Sequence, residues 1–241
     1  GASELKDAIP ASEEAVCAKT AWYVPSSGNV QQTPRIMLST DDAAQSILTA
    51  GYAAGLMMEA RGATKAAFVA GMEVDFNINA STAFKAGVRS VLPDATVTTT
   101  YSGDQDDAAK AREAVQAQMD QGAEVVYPYL GGSTDAATTL ANSKNLITLT
   151  PGTDRCDSTE PKFDISVLYS PGDYLTEALR MFADGKLELG VEKVWTIGKD
   201  PLPAIKLCKK DPEIQKKLDE FVEKIAKGEI DPDAEVERLG K

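Results

Sequence analysis

The stretch TPGTDRCD at 150–157 sets Asp154, Arg155 and Asp157 directly after an apolar run. Carboxylates this close together could share general acid–base work, with the guanidinium between them holding one ionised. Such chemistry needs a proton shuttle or a metal beside it. The chain contains no histidine, which removes the commonest general base and the commonest transition-metal ligand. It has no G-x-S-x-G nucleophile elbow. Cys17, Cys156 and Cys208 show no C-x-x-C spacing, which argues against a structural zinc site. GDQDD at 103–107 has the look of a calcium loop but lacks its alternating ligands and terminal glutamate. It reads as a cluster capping a helix. The residues point to a surface ion pair rather than to catalysis, so the expectation is a protein that is not an enzyme and needs no cofactor.

Other residues suit binding. Gly131-Gly132, followed by Ser133 and Thr134, closes an apolar run and opens a helical one. N–H groups at such a corner can hold an anion or a sugar hydroxyl; the structural alternative is a tight turn that needs positive φ. Gly71 and Met72 end another apolar run, and Asp75, Phe76 and Asn77 follow. An aromatic ring beside amide and carboxylate groups can stack on and orient a planar ligand. The competing reading is a loop in which Asn77 or Asn79 caps the next helix.

These residues need a scaffold, and the chain has length for one large domain or two small lobes, with 241 residues. A net charge of −12 argues against a nucleic-acid partner. No apolar run approaches the ~18 residues of a membrane span. The opening GASELKDAIP lacks the basic region and apolar core of an export signal, as an exported chain would after processing. The cysteines allow one disulfide with a free thiol, or three buried thiols.

From Ser39 the pattern alternates helix and strand. STDDAAQSILTAGYAAGLMMEARG reads as a helix with Thr40 as N-cap and Gly62 at its stop. Its Ala and Gly residues suit close packing on a sheet. KAAFVAG, the run at 96–101, the run at 124–130 and LITLT read as strands, with helices between them. Short links between alternating elements imply a mainly parallel sheet covered by helices. FDISVLY and KVWTIG read as later strands around a helix carrying Leu175, Ala178, Leu179 and Phe182. Asp211-Pro212 starts an amphipathic helix that stops at Gly228. WYVPSSGNVQQTP reads as a loop, and the tail DPDAEVERLGK as frayed or loosely docked.

The ordered segments AGYAAGLM, AAFVAGMEVDFNINASTAFKAGVRSVLPDATVTTTYSGDQDDAAKAREAVQAQMDQGAEVVYPYLGG and NLITLTPGTD resemble the basic membrane protein family. These are substrate-binding proteins of ABC importers, with the purine-nucleoside receptors as the best-understood members. The likeness runs from about Ile36 to Ile230. It implies an α/β, type I periplasmic-binding-protein-like fold: two lobes, each a parallel sheet flanked by helices, with a ligand closed between them. Family members carry a much longer segment before the one matching IMLSTDDAAQ, so the first lobe is expected to be truncated or incomplete. The resemblance then assigns 1–38 to a remnant of the first lobe and 39–170 to the second lobe. It gives 171–190 to a helix of the first lobe and 191–241 to a return strand and C-terminal helix on the second.

The same resemblance implies a small-molecule ligand, a membrane permease as partner, a monomer, and a periplasmic or extracellular location with a lipid anchor before processing. The family's base-facing aromatic falls on Ala80, its ribose-binding aspartate on Thr150 and its lysine on Tyr169. Phe76 is read as replacing the lost aromatic. A phenol for an ammonium favours a neutral, hydroxyl-bearing or planar ligand over an anion. Thr150 and Asp154 are candidates for hydroxyl contact. The expected ligand is nucleoside- or nucleobase-like; the alternative is a sensory or interaction module that kept the fold and lost transport. In this fold Cys156 and Cys208 both fall on the second lobe and are expected to pair in an exported protein.

Overall fold

The computed structural model describes residues 9–25 and 32–241; of the loop expected over 22–34, residues 22–25 form a strand instead and 26–31 lie outside the described residues. Helix α1 (Ile9–Glu13) and a short 3-10 turn precede parallel strands β1 (Trp22–Pro25) and β2 (Ile36–Asp41). The chain then enters a larger unit: α2 (Ala43–Arg61), β3 (Lys65–Ala70), α3 (Asp75–Val91), β4 (Thr96–Tyr101), α4 (Ala108–Asp120), β5 (Val125–Tyr129), α5 (Thr134–Asn142), β6 (Ile147–Gly152) and β7 (Ile165–Leu168). It returns to the first unit with α6 (Pro171–Ala183) and β8 (Val191–Trp195), then ends on the larger one with β9 (Ala204–Leu207), α7 (Pro212–Ala226) and α8 (Pro232–Leu239).

Two sheets result. The larger has the order β4-β3-β5-β6-β7-β9, parallel except for the antiparallel β7–β9 pair. The smaller is a parallel sheet, β1-β2-β8. The expected placement of the return strand is therefore corrected: β8 pairs with β2 in the first lobe, and it is β9 that joins the second. A strand pattern alone does not say which sheet edge a strand will complete.

Period-2 alternation sorts the larger sheet's side chains between two layers. Phe68 and Tyr127 are fully buried with residues of α2 and α3, whereas Ala67, Val69 and Val126 pack with α4 and α5. Helix α2 starts at Asp42, whose carboxylate accepts the Ala44 N–H, and stops at Gly62 with φ 68°. The expected cap at Thr40 is thus displaced by two residues, because Thr40 still belongs to β2. A Cβ on Gly87 would lie 2.0 Å from the Leu48 carbonyl oxygen, and one on Gly51 2.2 Å from that of Phe84. The small residues of α2 therefore serve a helix–helix crossing with α3 as much as the sheet.

The polar caps follow simple chemistry. Asp107 accepts the Ala109 and Lys110 N–H groups at the start of α4, and Asp211 does the same for α7. Neither Asn77 nor Asn79 caps α3, which begins at Asp75 after an uncapped Val74. The tail is not frayed. Asp231 caps α8, and Arg89 donates to the Leu239 carbonyl from α3.

The first lobe is thinly covered. Tyr174 and Trp195 bury their rings together, 5.2 Å apart. Leu175, Leu179 and Phe182 of α6 stay exposed, as do Val191 and Val194 of β8. Of the apolar residues named on this helix, only Ala178 is buried.

Candidate functional site

Strands β3, β5 and β6 end on one edge of the larger sheet, the carboxyl edge where open parallel sheets place ligands. A ladder of aromatic rings leads there from the core. Phe68 meets Tyr127 at 5.3 Å and Tyr129 at 5.2 Å. Tyr129 in turn meets Phe76 and Tyr169, each at 6.2 Å. Tyr127 and Tyr129 share a face of β5 because they are two residues apart. Tyr129 is the pivot between core and cleft.

Beside it lies a cavity of about 360 Å³ lined by Phe76, Tyr129 and Tyr169 with Gln105, Asp106 and Gly131. An adjoining cavity of about 520 Å³ shares Phe76 and Tyr129 and reaches Asp41, Asp42, Asn79 and Asp233. Phe76 is 55% exposed, a large ring left in water at the cleft mouth. Burial, and then the neighbouring phenols, push Tyr169 well above the ordinary tyrosine range. Burial likewise raises Tyr129. Both phenols therefore stay protonated and able to donate.

The crossover from β2 supplies the opposite wall. Asp41 Oδ2 accepts from the Tyr174 hydroxyl at 3.3 Å. Desolvation raises the Asp41 carboxyl against that hydrogen bond, and the charge of Asp42 adds to the rise. Asp233 in the first turn of α8 is raised by desolvation and then by Asp42 and Asp231. Ser39 ties the base of this wall together, accepting from Tyr23 at 2.8 Å and from the Trp195 indole at 2.6 Å.

Of the expected site residues, Phe76, Gly131 and Tyr169 meet in one cavity. Met72 and Asp75 are exposed on the same sheet edge. Gly71 and Asn77 are buried beneath it, and Asn77 donates its amide to the Met72 carbonyl at 2.6 Å. Thr150 is fully buried; its hydroxyl donates to the Thr153 carbonyl and accepts the Val167 N–H. Its hydrogen bonds are spent in the core. Asp154 sits outside the cavities, bonded to Lys206 at 2.6 Å and to the Cys156 N–H. Arg155 pairs with Asp135 rather than with a catalytic partner. Cys156 and Cys208 are joined by a disulfide beside this ion pair, and Cys17 is free.

At the Gly131-Gly132 corner, expected to hold an anion or a sugar hydroxyl, both backbone N–H groups are already bonded within the chain. The Gly131 N–H donates to the Gln105 carbonyl at 3.0 Å, and the Gly132 N–H donates to Asp106. The chain's own carboxylate occupies the place of an anion. Neither glycine has positive φ. A Cβ at Gly131 would instead collide with Asp106 Oδ1, at 2.5 Å.

Sequence reasoning did not pick out Tyr129, Gln105, Asp106, Asp41 or Asp233. The alternation in VVYPYL, with tyrosines two apart at a strand end, was the available signal for Tyr129. Nothing local connects Asp41 or Asp233 to Phe76. Among the described residues, no group of His, Cys, Asp and Glu could hold a metal ion, and no helix is long and apolar enough to cross a membrane.

No curated protein matches the chain significantly. Solved structures do. An ABC transporter solute-binding protein from Conexibacter woesei DSM 14684 is 18% identical with a TM-score of 0.75, over 96% of this chain and 76% of that one. A transcriptional activator of the comK gene from Bacillus halodurans is 17% identical with a TM-score of 0.72, over 92% and 74%. An ABC transporter solute-binding protein from Aeropyrum pernix K1 is 17% identical with a TM-score of 0.65, over 98% of this chain and 65% of that one. At these identities the likeness is one of fold, that of periplasmic-binding-type solute receptors. A family model for PnrA-like ABC transporter substrate-binding proteins matches residues 41–231. That match covers most of the chain and every lining residue of the first cavity, with Asp233 and Val236 of the second beyond its end, and the chain belongs to the Bmp family of ABC transporter substrate-binding proteins.

Proposed function

We propose that this protein captures a small, ring-bearing polar solute, nucleoside- or nucleobase-like in size, between its lobes and delivers it to an ABC permease. The observation that carries the reading is the set of rings at the carboxyl edge. Phe76, Tyr129 and Tyr169 line one cavity with Gln105 and Asp106, which supplies stacking surfaces beside hydrogen-bonding groups. Met72 and Asp75 are exposed beside Phe76 in sequence, and Gly132 beside Gly131, so the reading gives them outer contacts to the same ligand. The ligand would bridge this wall to Asp41 and shift an open–closed equilibrium by its differential affinity. The reading places a monomer in the periplasm or outside the cell, lipid-anchored before processing, with no nucleic-acid partner and no catalytic step.

A thermal-shift screen of nucleosides, free bases, sugars and vitamins tests it. A stabilising hit at low micromolar concentration supports capture. A blank across the panel favours a second reading, a sensory or interaction module. The exposed Leu179, Phe182 and Val194 of the first lobe favour that one.

A further inference from the structure

The cleft is one-sided in charge. Asp41, Asp42 and Asp233 line the 520 Å³ cavity with Phe76 and Tyr129, and Asp106 lines the adjoining one. Among the described residues no lysine or arginine lines either cavity. Three of these carboxylates have neutral hydrogen-bond partners. Asp41 takes the Tyr174 hydroxyl, Asp42 the Ala44 N–H and the Gln45 amide, and Asp106 the Gly132 N–H. Asp42 and Asp233 come from different elements, yet the charge of the first disfavours ionisation of the second. Bringing a positive charge between them relieves that repulsion. The apolar surface beside them is aromatic or small: Phe76 and Tyr129, then Ala43, Ala44, Ala80 and Ala83, and Val236.

We propose that the cleft selects a ring-bearing organic cation, such as an N-alkylated heteroaromatic, over its neutral and anionic analogues. The inference rests on the ligand-binding reading of the same cleft and narrows its substrate class. A delocalised cation gains from carboxylates and from aromatic faces together, since a ring quadrupole attracts positive charge. A bare metal ion gains less, because among the described residues no donor cluster could hold one. An anion meets Asp106 where helix α5 would otherwise offer it N–H groups. The overall charge of −12 steers cations inward and anions away before contact.

Matched probes separate this inference from the reading beneath it. Adenosine and 1-methyladenosine share a ring and differ by one positive charge at neutral pH. Nicotinate, nicotinamide and 1-methylnicotinamide run from anion through neutral to cation. In equilibrium titrations at low salt the cation of each series should bind about tenfold tighter than its neutral partner, the scale of one cation–aromatic contact with a carboxylate behind it. That preference should narrow in Asp41→Asn and again in Asp233→Asn, a second variant in case the first folds poorly. Equal or tighter binding of the neutral or anionic members overturns the inference and leaves solute capture standing. No binding by any probe, together with a blank solute screen, overturns both.

Discussion

Asp106 accepts a hydrogen bond from the Gly132 backbone N–H, so the start of helix α5 is met by a carboxylate of the chain itself. The β4–α4 loop thereby folds over the corner that would otherwise hold an anion, and Gln105 beside it accepts from Gly131 and Ser133. The cleft edge becomes acidic and aromatic where a helix N-terminus alone would have been electropositive.

Phe76 is the ring most open to a ligand. Phe76→Ala should weaken binding of the strongest screening hit by about 1–3 kcal/mol, the scale of a lost aromatic contact at a ligand site. Unliganded stability should barely change, since Phe76 is 55% exposed. Titration calorimetry and thermal melts on the same preparations check both halves. A variant that melts much lower yet binds normally would make Phe76 a packing residue.

The α2–α3 crossing predicts a loss of the opposite kind. Gly87→Ala would press a methyl against the Leu48 carbonyl, 2.0 Å away, and backbone cannot yield as a side chain can. The expected cost is about 3 kcal/mol or more, read from denaturant unfolding. A near-neutral Gly87→Ala would mean that the helices separate more easily than their packing implies.

Asp41 should show a trade of stability for function. Its carboxyl is raised mainly by desolvation. A folded-state pKa above the unfolded value means that the ionised form opposes folding at neutral pH, and that this penalty fades as pH falls and the group protonates. Asp41→Asn should therefore raise the apo melting temperature at neutral pH, and the gain should shrink toward acid pH. A gain that is constant with pH would assign the effect to something other than charge.

Disulfide accounting is direct. Thiol titration of denatured, unreduced protein purified from an oxidising compartment should find one free thiol, Cys17, with Cys156 and Cys208 paired at a separation of 52 residues. Closing a loop of that length stabilises by about 4 kcal/mol in the chain-entropy model, so reduction should lower the denaturant midpoint. Three free thiols would contradict the pairing.

Much of the second lobe was legible because its signals are local. Asp107 and Asp211-Pro212 announce helix starts, Gly62 a stop, and short apolar runs the strands between. The family resemblance then supplied the arrangement of lobes. What escaped was non-local. KVWTIG reads as a strand, but only the whole fold decides that β8 extends β2. Thr150 follows a strand as a ligand residue would, yet it points its hydroxyl into the core. The tail was misread although Asp231-Pro232 repeats the Asp211-Pro212 signal, and the misreading hid Asp233. Phe76 stood out as an aromatic just after a strand end and Tyr169 only through the position of the family's lysine, and the two line one cavity. Tyr129 was missed inside an apolar run, where a buried tyrosine and a cleft tyrosine look alike.

The central claim is that a ligand sits between the two walls, touching both. Hydrogen–deuterium exchange with and without the strongest screening hit tests it most directly. Binding should slow exchange in peptides covering 41–44 and 170–175 on one side and 76–83, 103–107 and 129–133 on the other. The far edge of the sheet, around 142–146 and 159–164, should be unchanged. Protection confined to that far edge, or to one wall alone, would contradict the account.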